Sequence, residues 1–246
     1  MKQVCIACAL CAALLAFSIP RAPDRERQWV AFSHRGGKEG YDAVSDHQPI
    51  EVTTKRGQRP EAAMLDQTTT ATLEEGSLTV VHQGQQVWRS DPSWDVRQFL
   101  LADVNNDGQR EVAFVLWKPY RLEPAILYET FHFPSLWEED SLRNHLFVYG
   151  WRDGTWQELW CSSPVEYPII QIYVADTDGD VSNELVILEG NYTAPDDGAR
   201  QVSVWRWHGW GFTLQWRSSA GIYDDLLLED VTGDGVPEIL VRVPAA

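Results

Sequence analysis

The stretch "ADVNNDGQREVAFVLW", residues 102–117, decides the fold. Oxygen-bearing side chains stand at alternate positions (Asp103, Asn105, Asp107), Gly108 follows, and Glu111 leads into an apolar run of strand character. The arrangement recurs as "ADTDGDVSNELVILEG" at 175–190 and as "EDVTGDGVPEILVRV" at 229–243, and in every copy the glutamate follows the first aspartate by eight residues. A glycine lets the chain turn sharply, so that alternating side chains converge on one point.

A second pattern precedes each copy. "SLTVVHQGQQVWRS" (77–90), "HLFVYGWRDGTWQELWCSS" (145–163) and "QVSVWRWHGWGFTLQWRSS" (201–219) read as hairpins that end in Trp-x-Ser. Trp88, Trp160 and Trp216 precede Asp103, Asp176 and Asp230 by 15, 16 and 14 residues. Two spacings held three times define an internal repeat of strand, turn, strand, linker, strand, acidic loop, strand. The expected fold is all-β: a β-propeller-like array of three four-stranded antiparallel blades, at about 77–118, 145–190 and 201–243.

These units resemble FG-GAP/VCBS repeats, the blades of integrin α-chain propellers and of many exported bacterial proteins. The resemblance covers residues 77–243 and rests on the acidic loop and the blade pattern, best seen in "DVTGDGVPEILV" and "DVNNDGQREVAFV". It implies Ca²⁺ as the cofactor.

The residues point the same way. In loop one Asp103, Asn105 and Asp107, the carbonyl of Gln109, and Glu111 are all oxygen donors, which suits a hard cation taking six to eight oxygens. Loop two offers Asp176, Asp178, Asp180, the carbonyl of Ser182 and Glu184; its glycine is displaced to Gly179, and Val181 stands where the family prefers glycine. Loop three offers Asp230, Thr232, Asp234, the carbonyl of Val236 and Glu238, and is the least charged. Two carboxylates about 5 Å apart repel by roughly 3 kcal/mol at an effective dielectric near 20, and loop two gathers four. The competing reading is a turn that aspartate caps through hydrogen bonds to backbone, without metal. An EF-hand is excluded, because it needs its closing glutamate at position twelve and flanking helices, whereas here the glutamate is at position nine and strands flank the loop.

Three blades are fewer than the roughly four to eight that close a propeller. Residues 21–75 read as a polar tether with docking strands, so the array is completed by N-terminal strands, stays an open arc, or assembles between chains; packing of the N-terminal segment on one end is favoured, because bare strand edges need cover. The main domain spans 76–246. Ahead of it, "MKQVCIACALCAALLAFSIPRAP" has the layout of a secretory signal peptide over 1–20, with a retained anchor as the alternative and a lipoprotein leader as a weaker one. Export, with membrane contact only through that segment, is the expected localisation. Three of the four cysteines lie in the leader, so Cys161 has no partner for a disulfide after cleavage and is expected to be a buried strand residue.

Charge narrows the partners. The chain carries a net −16, of which residues 76–246 hold −15, and no basic patch interrupts it. Such a field repels nucleic acid and anionic lipid. The longest insertion, 118–144, carries Tyr128, Phe131, His132, Phe133 and Trp137, and with Trp210 at a turn tip these are the candidate ligand-binding residues. Trp151 and Trp207 belong to strands and are expected to pack. No Gly-x-Ser-x-Gly, His-Glu-x-x-His or phosphate loop occurs. The expected function is therefore an exported calcium-binding module for binding or adhesion, with a protein or carbohydrate partner outside the cell and no catalysis of its own. The alternative is a polysaccharide-acting enzyme or carbohydrate-binding protein with its site at the insertion.

Overall fold

A computed structural model of the chain describes residues 27–34, 40–43, 62–119, 142–193 and 201–244. The leader and five of the six aromatic candidates (Tyr128, Phe131, His132, Phe133 and Trp137) lie outside the described residues. The described residues form sixteen strands and no helix. The first two are β1 (Arg27–His34) and β2 (Tyr41–Ala43), followed by β3 (Ala62–Met64), β4 (Thr69–Glu74), β5 (Ser77–His82) and β6 (Gln85–Arg89). Next come β7 (Asp95–Ala102), β8 (Glu111–Pro119), β9 (Leu142–Arg152), β10 (Thr155–Cys161), β11 (Ile169–Ala175) and β12 (Glu184–Glu189). The last are β13 (Gln201–Trp207), β14 (Phe212–Arg217), β15 (Asp225–Glu229) and β16 (Glu238–Pro244).

They assemble into four four-stranded antiparallel sheets, not three. Sheets one to three are meanders, β3-β4-β5-β6, β7-β8-β9-β10 and β11-β12-β13-β14. Sheet four is β15-β16-β1-β2: the last hairpin is completed by the first two strands, with Val30 opposite Val241 and Phe32 opposite Ile239. The segment read as a polar tether thus supplies four strands. Each sequence repeat was also cut out of phase with the sheets, since its leading hairpin ends one sheet and its acidic hairpin starts the next. A linker and a turn look alike in sequence, and only pairing separates them.

The first strands stand side by side, β3 by β7, β7 by β11 and β11 by β15. Side-chain bonds tie two of these neighbours: Gln98 Nε2 donates to the Ile170 carbonyl at 3.1 Å, and Gln171 takes the Leu226 N–H at 2.9 Å. The second strands of sheets two and three, β8 and β12, are buried on both faces, because a sheet lies on each side. On β8, Val112, Phe114 and Leu116 face the core shared with sheet one, while Ala113 and Val115 face the core shared with sheet three. A third core joins sheets three and four through Val186, Leu188, Val204, Leu226, Ile239 and Val241. Among the described residues no core cluster joins sheet four to sheet one.

Two devices explain the Trp-x-Ser signature. The pairs Val80↔Trp88 and Val81↔Gln86 leave Val87 as an extra residue, and Leu159 before Trp160 and Gln215 before Trp216 are extra in the same way. The fourth strands of sheets one to three therefore carry a β-bulge just ahead of the tryptophan, which re-aims the side chain. Trp88 meets Tyr149 (ring centroids 4.9 Å apart), Trp160 meets Phe212 (5.1 Å) and Trp216 meets Tyr41 and Phe32 (5.2 Å each), every partner belonging to the next sheet. The serine two residues on clamps the hairpin. Ser90, Ser162 and Ser218 each accept a backbone N–H through Oγ (from Leu78, Leu146 and Val202) and donate their own N–H to the same residue's carbonyl.

Cys161 lies in β10 but is exposed, contrary to expectation. β10 is the outer edge of sheet two, and its alternate residues face solvent.

Candidate functional site

The three acidic loops join the first and second strands of sheets two, three and four, and they share one hydrogen-bond plan. The first aspartate folds its loop inward: Asp103 accepts the N–H groups of Asp107 and Gly108, Asp176 those of Gly179, Asp180 and Val181, and Asp230 those of Gly233 and Gly235. The aspartate at position five accepts the N–H two residues on, from Gln109, Ser182 or Val236. The closing glutamate reaches back through Oε2 to the N–H of position two, from Val104, Thr177 or Val231, at 2.9 to 3.0 Å.

Positions four and six both need a positive φ. Asn106 (60°) and Gly108 (85°) supply it in loop one, Gly179 (78°) and Val181 (75°) in loop two, and Gly233 (78°) and Gly235 (90°) in loop three. Gly179 is therefore in register at position four rather than displaced. The misfit in loop two is Val181 alone, a β-branched residue in a conformation that disfavours it, and it is 91% exposed.

The loops lie in a row. Asn183 of loop two donates its N–H to Asn106 Oδ1 at 2.6 Å and its amide to the Asp103 carbonyl at 2.9 Å. A Cβ on Gly179 would lie 3.1 Å from Val236 of loop three. Sheet one has a short turn at the corresponding connection, where Asp66 accepts bonds from the N–H and hydroxyl groups of Thr68 and Thr69. Partial burial works against its charged form, but those four bonds outweigh it and hold the carboxyl near 2. There the aspartate-capped turn is realised.

In loops one and two an arginine side chain reaches the carboxylates. In loop two the Arg206 guanidinium, from β13, is 2.6 Å from Asp178 Oδ2, 2.9 Å from Asp180 Oδ2 and 2.6 Å from Glu184 Oε1. Glu184 and Arg206 are directly paired across β12 and β13. Oxygens of Asp176, Asp178 and Glu184 lie within 4.8 Å of one another, a spacing that would also suit a metal. In loop one Arg152, from β9, bonds Asp107 and lies 3.3 Å from Glu111. Burial pushes the Glu111 carboxyl up to about 7 against the Val104 N–H and Arg152, and burial raises Glu184 as well. Burial disfavours a charged Arg206, but Glu184, Asp178 and Asp180 outweigh it and raise its proton affinity further.

Loop three differs. Glu238 is 2% exposed and accepts bonds from the Val231 N–H, the Thr232 N–H and the Thr232 hydroxyl. Among the described residues no cationic side chain pairs with Asp230, Asp234 or Glu238. Extending the β1–β16 register sets Ser33 opposite Glu238, where Arg206 faces Glu184 in sheet three. Arg35, two residues further along, lies outside the described residues.

For Ca²⁺ the residues therefore fit unequally. Loops one and two hold the donor side chains that sequence pointed to, but a guanidinium stands among them. In loop three the buried Glu238 carboxylate has no cationic partner among the described residues, and a buried charge without one is costly. Sequence reasoning missed Arg152 and Arg206, because they lie 41 and 22 residues past their loops' closing glutamates and share no spacing.

Beside loop two, a cavity of about 490 Å³ opens between β1–β2 and β13–β14, lined by His34, Tyr41, Asp178, Arg206, Gln215 and Trp216 among others. Tyr41 OH lies 2.6 Å from Thr177 Oγ1, and Gly40 leaves room for Trp216, whose Cδ1 would be 3.0 Å from a Cβ there. Trp210 is 74% exposed at the β13–β14 turn and does not line this cavity. Trp151 and Trp207 are half-buried against Trp156 and Phe212, as expected of packing residues.

No family model matches the sequence, and no curated protein matches it significantly.

Proposed function

We propose that this chain is an exported binding or adhesion module of the FG-GAP/VCBS kind, in which the four sheets are propeller-like blades, loop three takes Ca²⁺, and no catalysis is performed. The observation that carries this reading is the threefold repetition of one construction. The acidic loop, the bulge-aimed tryptophan and the serine clamp recur as a unit, and evolution by repetition builds scaffolds that present surfaces. The acidic surface excludes nucleic acid and anionic membrane as partners and leaves an extracellular protein or carbohydrate.

Ca²⁺ belongs to loop three because that loop keeps the carboxylates of Asp230, Asp234 and Glu238, the Thr232 hydroxyl and the Val236 carbonyl without a described internal cation. Bound there, Ca²⁺ would supply charge neutralisation and hold the β15–β16 corner. Titrating CaCl2 into chelator-treated protein by calorimetry, with a parallel melt, tests this: one equivalent binds, the melting temperature rises, and both effects vanish in Asp234→Asn. Wild-type protein that takes up no Ca²⁺ refutes the metal part of the reading.

The 490 Å³ cavity favours a second reading, a carbohydrate-binding protein or polysaccharide-acting enzyme, because its volume suits a small ligand and its wall mixes aromatic with polar groups. A glycan array run beside a hydrolase substrate panel separates the two. Turnover of any substrate that is abolished by Gln215→Ala would establish the enzyme.

A further inference from the structure

We infer that Arg206 and Arg152 are tethered replacements for the metal in loops two and one, so that these loops are closed to Ca²⁺ and any calcium dependence is confined to the sheet that joins the first strands to the last. The confinement to sheet four rests on the proposed function above; the closure of loops one and two does not.

The geometry of loop two carries the inference. Three carboxylates from positions three, five and nine converge on one guanidinium, at 2.6, 2.9 and 2.6 Å, and these positions are the ones that would ligate a metal. Oxygens of Asp176, Asp178 and Glu184 lie within 4.8 Å of one another, and two of these three residues, Asp178 and Glu184, already bond the guanidinium. A guanidinium is planar, always charged and well suited to several carboxylates at once. It is also covalently attached, so it competes at the effective concentration of an intramolecular group, whereas Ca²⁺ must arrive from solution and lose water. Both cannot occupy the place together, since like charges in a half-buried site repel strongly.

The pairing is built into the sheet. Glu184, 1% exposed, faces Arg206 directly across the β12–β13 ladder, so their proximity comes from strand register and not from the conformation of loop two. The remaining oxygens are occupied by the loop's own N–H groups, as in loop one, where Arg152 plays the same part toward Asp107 and Glu111. The consequence is a molecule whose second and third sheets keep their loop geometry when calcium is scarce.

The experiment compares Ca²⁺ stoichiometry by calorimetry in chelator-treated wild type, Asp178→Asn, Arg206→Gln and the double variant Arg206→Gln/Asp178→Asn, with circular dichroism to confirm folding. Arg206→Gln should bind one equivalent more than wild type, and the double variant should lose it again. Asp178→Asn alone should leave the wild-type stoichiometry unchanged. A loss of one equivalent in Asp178→Asn overturns the inference, because loop two would then be a metal site in the native protein, and so does a folded Arg206→Gln that gains none. If Arg206→Gln fails to fold, the Asp178→Asn comparison still decides, and Arg152→Gln provides the same gain-of-site test at loop one. Wild type that binds nothing while Arg206→Gln binds one equivalent removes calcium from loop three and leaves this inference standing.

Discussion

Loop two and loop three are built on one plan and solve its charge problem in opposite ways. Loop two has four carboxylates, an arginine among them and a strained valine at position six; loop three has three carboxylates, no described cation and two glycines. The difference teaches that the loop's shape comes from the backbone bonds to the first aspartate and the closing glutamate, which are common to both. What varies is whether a described cationic side chain reaches the carboxylates. A reading of the loops alone ranks loop two first for metal, because it counts negative charge and cannot see what lies across the sheet.

The sharpest way to break the comparison is to remove the arginine. In metal-free buffer Arg206→Gln should cost about 3 kcal/mol of unfolding free energy by denaturant titration, because it leaves the buried Glu184 uncompensated. Arg97→Gln, at an exposed pair with Asp95 whose two side chains are 59% and 40% accessible, should cost under about 1 kcal/mol. Equal losses would show that Arg206 is an ordinary surface pair.

The backbone difference can be exchanged next. Val181→Gly should stabilise the protein by about 1 kcal/mol, and Gly235→Val should destabilise it by about 1 to 2 kcal/mol, since a positive φ is costly for a side chain with a Cβ. Thermal melts of the two variants check the opposite signs, and a loss on Val181→Gly would mean that position six is not where the strain resides.

The smallest effect sharpens the comparison most. With chelator present, Asp234→Asn should leave stability within about 0.5 kcal/mol of wild type or raise it slightly, as expected for an exposed carboxylate with no cationic partner among the described residues. With Ca²⁺ present the same substitution should be destabilising. A chelator-independent loss in denaturant titrations would show that Asp234 is held by something other than a metal.

Much of this was legible in sequence, and particular residues show where legibility stopped. The loop aspartates, the closing glutamates and the Trp-x-Ser spacing recur at near-fixed intervals, so periodicity alone located the acidic hairpins. The bulges at Val87, Leu159 and Gln215 were invisible, because an extra residue in one strand shows only against its partner. Docking strands were legible within 21–75, but not their places: "RQWVAFSH" lies among polar residues and pairs with β16 at the other end of the chain, and "AAM" is only three residues long. Arg206 belongs to the same class, since the residue that decides loop two sits on another strand, placed there by register.

The pairing of β1 with β16 also sets a timetable for synthesis. Val30 finds Val241 only after more than two hundred further residues have been made, which at roughly 5 to 20 residues per second takes on the order of 10 to 40 s. Sheets one to three are local meanders that can form in turn as the chain emerges, but β1 keeps its edge groups unpaired until the last hairpin appears. Sheet four is thus finished by the first of the described strands, and throughout that interval the edge that β1 later turns to β16 has no partner.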